Sequence, residues 1–238
     1  MGRAHEVRAA SMAKTAAKKS AANGRAAKEI YMLAKQGGAD VTANLALRAA
    51  IDKAKSNQIP TDVINRAIKR AEGGDAENYV ENRYEGYGPG SVAIIVDSLT
   101  SNVNRAIAEI RDTFNKKHGK LGSTGSVSFL FQNVALFSFE GNQEEILMDL
   151  LDRDVDVLDV SQDDDVVVVK APFTSFALVK QALDEIGIKE YLVAEIRMVP
   201  DEVVVINDQE TKDQLNQLLD KLDELEDVQA VYHNAKLD

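Results

Sequence analysis

A chain of 238 residues, 45% hydrophobic and with a formal charge of -11, contains no cysteine. This excludes disulfides, thiolate zinc sites and cysteine nucleophiles and fits a reducing, cytoplasmic compartment. No apolar run approaches the roughly 18 uninterrupted residues of a membrane span, and no apolar core follows the N-terminal charges as in a secretory signal. The charge is split: residues 1–72 hold 14 Lys+Arg against 6 Asp+Glu, net +8, and the remainder holds 14 against 33, net -19.

The opening MGRAHEVRAASMAKTAAKKSAANGR is rich in Arg, Ala and Ser and poor in acids. That composition suits an organellar transit peptide or an intrinsic basic arm; we favour the arm, because it runs unbroken into helical sequence. Lys14 to Gln36 reads as one or two helices, with a break allowed at Asn23-Gly24 and an end at Gly37-Gly38. A second helix spans Asn44 to Asn57, with Leu47, Ile51 and Ala54 on one face. A third begins near Pro60 and ends at Gly73-Gly74. It stripes Val63, Ile64, Ala67, Ile68 and Ala71 on one side and places Arg66, Lys69 and Arg70 on another. The expectation is a small helical bundle with a basic outside.

Beyond Gly74 the period changes. Arg83 to Thr100 reads as a glycine-rich loop in front of the strand SVAIIVDSL, and a helix over SNVNRAIAEIRDTFNKK and a strand GSVSFLF follow. Next comes a complete unit: strand VALFSF, helix QEEILMDLL, strands VDVLDVS and VVVVKA, helix FTSFALVKQALDEIG and strand YLVAEIRMV. The order βαββαβ is the ferredoxin-like arrangement, with Asp163-Asp164-Asp165 in the turn between its central strands. A strand EVVVI, a helix from Thr211 to Leu225 presenting Leu215, Leu218, Leu219 and Leu222, and a strand DVQAVYHN would complete the unit begun at Ser91. The expected fold is therefore multidomain, α and α+β. Residues 1–76 form a basic helical bundle with an N-terminal arm, 77–132 with 204–238 a discontinuous α+β domain, and 133–203 an inserted ferredoxin-like domain.

The motif Tyr84, Gly86, Tyr87, Gly88, Pro89 and Gly90 precedes a strand and lacks the lysine and hydroxyl residue of a P-loop. It reads as a tight turn clamped by its tyrosines, with positive φ at glycines, rather than as a phosphate cradle. Packing is the expected use of the tyrosines, stacking on bases the alternative. His5, His118 and His233 fall in separate segments without metal-ligand spacing, so no catalytic or metal site is expected. The acid run Asp163 to Asp165 lacks the glycine and distal glutamate of a calcium loop and reads as a solvated hairpin turn.

The cations Lys14, Lys18, Lys19, Arg25, Lys28, Arg66, Lys69 and Arg70 cluster without a folding need. In a domain of net +8 beside a body of net -19, they point to a polyanion, DNA or RNA.

The motifs DKAKSNQIPTDVINRAIKRA (Asp52 to Ala71), RYEGYGPGS, TGSVSFLF (Thr124 to Phe131) and EDVQAVYHNA (Glu226 to Ala235) resemble, in this order and over nearly the whole chain, the YebC/PmpR family. A mitochondrial relative of that family is the translational activator of cytochrome oxidase subunit one. The resemblance implies a helical bundle and a ferredoxin-like domain inserted into another α+β domain, and no catalysis. Members are described as probable DNA-binding transcriptional regulators or as factors acting on the ribosome. The arm lacks the tryptophan usual in the family, Ser91 stands where a second glycine is usual, and the MGR start with AKEIY (Ala27 to Tyr31) resembles the shorter YeeN-type branch. The expected function is non-enzymatic, cofactor-free regulation of gene expression through nucleic acid, on ribosomal RNA first and promoter DNA second, with a protein partner for the acidic domains. A small-molecule sensor is a further alternative on fold analogy.

Overall fold

The computed structural model describes the backbone of residues 3–73 and 78–237, and the side chains of those ranges from residue 18 onward. Two compact units result: residues 1–127 with 204–238, and residues 128–203.

The Ala- and Lys-rich opening forms one helix, α1 (Arg3–Gly37). It is unbroken at Asn23-Gly24, because the surrounding alanines favour helix strongly enough to carry one glycine. Gly38, at φ 86°, turns the chain out of it. α2 (Leu45–Ser56) and α3 (Thr61–Glu72) follow, with Asn44 and Pro60 at their N-caps. Asn44 serves two helix ends at once: its Oδ1 accepts from the Leu47 amide at 3.0 Å, and its Nδ2 donates to the carbonyls of Leu33 and Gly38 at 2.9 and 2.8 Å. Ile30, Tyr31 and Ala34 of α1 pack with Leu47, Ile51 and Ala54 of α2 and Ile64 and Ala67 of α3.

The turn between α2 and α3 sends the Ile59 amide back to the Ala54 carbonyl at 2.9 Å and the Gln58 amide to the Lys55 carbonyl at 3.0 Å. This places Gln58 at φ 58°, where glycine is preferred. Replacing Gln58 with glycine should therefore stabilise the protein by about 1 kcal/mol in urea denaturation.

Contrary to the sequence reading, the chain enters the α+β part through a strand, β1 (Val80–Tyr87), paired antiparallel with β2 (Ala93–Thr100). Alternating side chains across VENRYEGY mark it only weakly, since Gly86 interrupts the pattern. The glycine-rich segment is thus a hairpin connection. Gly90 and Ser91 in it have positive φ, at 72° and 59°, and the Gly88 amide closes the turn on the Val92 carbonyl at 2.8 Å. Gly86 and Gly88 are glycine for lack of room: a Cβ would lie 2.7 Å from the Lys120 carbonyl oxygen and 2.8 Å from Ile94 Cδ1, respectively. α4 (Val103–Lys116), capped by Asn102, leads to β3 (Lys120–Leu121) on the outer side of β1. The expected strand GSVSFLF is instead a turn followed by a 3-10 turn over Ser128–Leu130. The backbone amides of Gly125 and Val127 are taken by the Glu85 carboxylate, so no ladder can form there.

The second unit contains β4 (Phe131–Glu140), α5 (Gln143–Asp152), β5 (Asp159–Asp163), β6 (Val166–Pro172), α6 (Phe176–Glu185) and β7 (Val193–Pro200). Its antiparallel sheet has the order β5-β6-β4-β7, the ferredoxin-like topology. Ala135, Phe137 and Phe139 of β4 and Val167, Val169 and Ala171 of β6 face Leu150, Val179 and Leu183 of the helices. The Asp163 to Asp165 turn joins β6 to an edge strand rather than to a central one, with Asp164 at φ 50°.

The chain then returns to the first unit. EVVVI contributes only β8 (Val204–Val205), before α7 (Gln209–Asp223), β9 (Val228–His233) and β10 (Ala235–Lys236). β9 pairs antiparallel with β2, giving the sheet order β3-β1-β2-β9, while β8 and β10 form a short parallel pair of their own. Val92, Ile94 and Val96 lie beneath Ile110 and Phe114 of α4 and Leu215, Leu218 and Leu222 of α7. The fold class is the multidomain α and α+β arrangement that the sequence indicates.

Candidate nucleic-acid interface

Among the described residues, the candidate cations of α1 and α3 fall into two sets according to what each meets. Lys18, Arg25 and Lys28, spaced seven and three residues apart, share one face. Lys28 is buried and donates to Asp227 Oδ1 at 2.8 Å and to the Glu226 carbonyl at 2.9 Å. Arg25 donates to the Asp223 carbonyl at 2.9 Å, and Lys18 pairs with Asp220 at 2.7 Å. All three meet the C-terminal end of α7 or the turn after it, where helix carbonyls and the dipole favour positive charge. The hydrogen bond to Asp220 raises the Lys18 ammonium above its ordinary value. These side chains fasten the helical part to the α+β part.

The second set faces outward. Lys19 is exposed on α1, and Arg66, Lys69 and Arg70 are exposed on α3. Arg66 pairs with Asp62 at 2.7 Å while its side chain remains 73% exposed. Arg70 stacks on the Tyr31 ring, 4.6 Å from its centroid, and donates to the Tyr79 hydroxyl at 3.1 Å. The aromatic clamp holds this guanidinium in place at the surface. Lys14 lies in α1, but its side chain is outside the described residues.

Between α1 and α3 runs an open groove of about 460 Å³, with Gly24 on one wall and Arg66 and Arg70 on the other. Gly24 has no packing reason to be glycine, since a Cβ there would meet no atom within 4 Å. Gly24→Ala should therefore stabilise the protein by about 1 kcal/mol, read from its urea midpoint.

The motif around the hairpin lies apart from these cations in chemistry. Tyr84 packs against the α4 and α7 core, and Tyr87, 38% exposed, donates its hydroxyl to the Ser126 carbonyl at 3.1 Å. With Pro89 buried at the turn, the segment shapes the sheet and its covering loop. Among the described residues no group of His, Asp and Glu is arranged to hold a metal ion, and no helix is long and apolar enough to cross a membrane.

Sequence reasoning did not single out Glu85, Asp227, Tyr31 or Tyr79. Their positions carry no local signal: Asp227 is one acid in an acidic stretch, and its partner Lys28 lies 199 residues away. Both acids do lie inside segments quoted above as motifs, and that membership is the available cue.

Residues 3–74 match the family model described as the TACO1/YebC protein N-terminal domain, and residues 79–235 match the one described as the TACO1/YebC second and third domain. A probable transcriptional regulatory protein of Mesoplasma florum is 65% identical over 100% of both chains. One of Marinobacter nauticus is 45% identical over 100% of this chain and 99% of its own. The crystal structure of a conserved hypothetical protein from Aquifex aeolicus matches with a TM-score of 0.75 and 34% identity, covering 90% of this chain and 88% of that one.

Proposed function

This chain belongs to the TACO1/YebC family, and from that premise we propose that it is a cytoplasmic, non-enzymatic regulator of gene expression that grips nucleic acid through its helical part. The observation that carries this reading is the separation of cations on the helices: those facing α7 are used internally, while Lys19, Arg66, Lys69 and Arg70 face solvent in the region of net +8. Lysines and clamped arginines suit phosphates, which position a polynucleotide without reading its sequence. With Arg66 engaged by Asp62, α3 offers few side chains ready for base edges, and this favours structured RNA such as that of the ribosome.

Promoter DNA is the second reading. It is supported by the names of the relatives and by the α2–turn–α3 arrangement, a helix pair joined by four residues from Asn57 to Pro60.

Ultraviolet crosslinking in growing cells, with sequencing of the RNA and DNA attached to the purified protein, separates the two. Defined ribosomal RNA positions support the first and promoter sequences the second; recovery of neither overturns the nucleic-acid reading. In vitro, Arg66→Glu with Lys69→Glu should weaken binding and lower the slope of log affinity against log salt by about 0.7 for each lost phosphate contact on a single strand. An unchanged slope would place the binding surface elsewhere.

A further inference from the structure

Gly24 occupies the interior of α1, where glycine is less favourable than alanine because it surrenders more backbone freedom on folding. Most other described glycines have visible reasons, and Gly73 and Gly141, which share neither reason below, lie at a helix C-cap and in a bend rather than inside a helix. Gly37, Gly86, Gly88, Gly119 and Gly122 would each bring a Cβ within 3.0 Å of a neighbour, and Gly38, Gly90, Gly125 and Gly187 have positive φ. Gly24 has neither, and it opens onto the groove between α1 and α3.

That groove has two unlike walls. Ser20, Asn23 and Gly24 of α1 give a low, polar wall, Ala27, Val63 and Ala67 line the groove with apolar surface, and Arg70 and Arg66 of α3 supply positive charge, Arg66 while paired with Asp62 at 2.7 Å. Tyr31 and Tyr79 already hold Arg70, so little side-chain freedom is lost when it meets an anion. A cleft of about 460 Å³ lies within the usual range for a small ligand, of the order of 300–1,000 Å³. That is the scale of about one nucleotide.

We infer that the groove seats one strand of a bound nucleic acid, its phosphate on Arg66 and Arg70 and its sugar–phosphate backbone passing over Gly24. This deepens the nucleic-acid reading above and rests on it. Glycine is then needed for close approach of the ligand, as glycines are where a backbone must come near a phosphate. Ser20 and Asn23 can hydrogen-bond the sugar hydroxyls or base edges of the seated nucleotide.

The test titrates a labelled single-stranded RNA of mixed sequence at low salt with the full chain, with Gly24→Leu and with Gly24→Ala, and records the melting temperature of each protein. Gly24→Leu should weaken binding by about tenfold or more, with a melting temperature no lower than that of the parent. Gly24→Ala should raise the melting temperature by about 2–4 °C. Asn23→Leu, on the same wall, should also weaken binding, and it stands in if Gly24→Leu fails to fold.

If a folded Gly24→Leu binds within about twofold of the parent while parental binding stays steeply salt-dependent, the groove assignment is wrong and the broader reading survives. If the parent binds neither RNA nor DNA at low salt, both fall. An equal loss of affinity for a duplex DNA overturns the single-strand assignment.

Discussion

Replacing Asp227 with alanine should destabilise the first unit by about 3–5 kcal/mol, because it strands a buried ammonium. Lys28 and Asp227 have side chains only 9% and 2% exposed, and their atoms lie 2.8 Å apart. Arg105 Nη2 reaches the second oxygen of the same carboxylate at 2.7 Å. An exposed pair would contribute at most about 1 kcal/mol, so a urea-denaturation difference that small would show that the pair does not fasten α1 to the α7–β9 turn. Lys28→Met combined with Asp227→Leu removes both charges and should recover much of the loss, since an apolar pair of similar volume avoids the desolvation cost. The double variant thus separates an electrostatic fastening from simple loss of packing.

The same site sets a pH dependence. Burial, the largest single influence, pushes the Asp227 carboxyl up, but hydrogen bonds from Lys28, Arg105 and Thr100 outweigh it and hold the group below the ordinary carboxylate range. A lowered folded value means that the stabilisation is complete above the unfolded value of about 3.9 and is lost as pH falls through the folded one. Acid unfolding of the parent should therefore steepen below about pH 4. Asp227→Asn, already less stable at neutral pH, should show a flatter acid limb; an acid limb as steep as the parent's would assign the titration to other carboxylates.

The second large effect is expected at Glu85. Its carboxylate is buried and accepts from the Gly125 and Val127 amides, both at 2.8 Å, so it holds the 122–127 loop against the sheet. Glu85→Ala leaves two backbone donors without their charged acceptor and should cost about 2–4 kcal/mol. Hydrogen exchange at Gly125 and Val127 should accelerate far more than exchange in α5 or α6. Glu85→Gln should fall between, since its amide keeps one acceptor and turns an NH2 toward the other donor. Unchanged protection of those two amides would mean that the loop is held by other contacts, such as the Tyr87 hydroxyl on Ser126.

These contacts join sequence motifs that lie far apart in the chain. Glu85, from RYEGYGPGS, bonds the backbone of TGSV, and Asp227, from EDVQAVYHNA, bonds Lys28 of AKEIY. Two pairs of distant segments are each joined by one buried carboxylate.

How much was legible beforehand depended on the range of the interaction concerned. α2 and α3 could be placed to within a residue because caps, a proline, terminal glycines and an apolar stripe all act within a few positions of one another. The βαββαβ order could be read because strand and helix periods differ and each element is long enough to show its own. GSVSFLF has the apolar content of a strand, yet it is a turn because the Glu85 side chain, 40 residues away from Gly125, takes its amides. β1 was missed because a glycine needed for contact with Phe114 and Lys120 breaks its pattern.

The sequence by itself determined the helices, the ferredoxin-like order and the charge split, since each follows from residue types acting on near neighbours. Only the tertiary structure decided which of the basic residues face solvent. Lys18, Arg25 and Lys28 look no different in sequence from Lys19, Arg66 and Lys69, but the first three meet the carboxylates and carbonyls at the end of α7. Coulombic attraction and desolvation depend on distance through space, and that distance is set when α1 packs on α7, not by position along the chain.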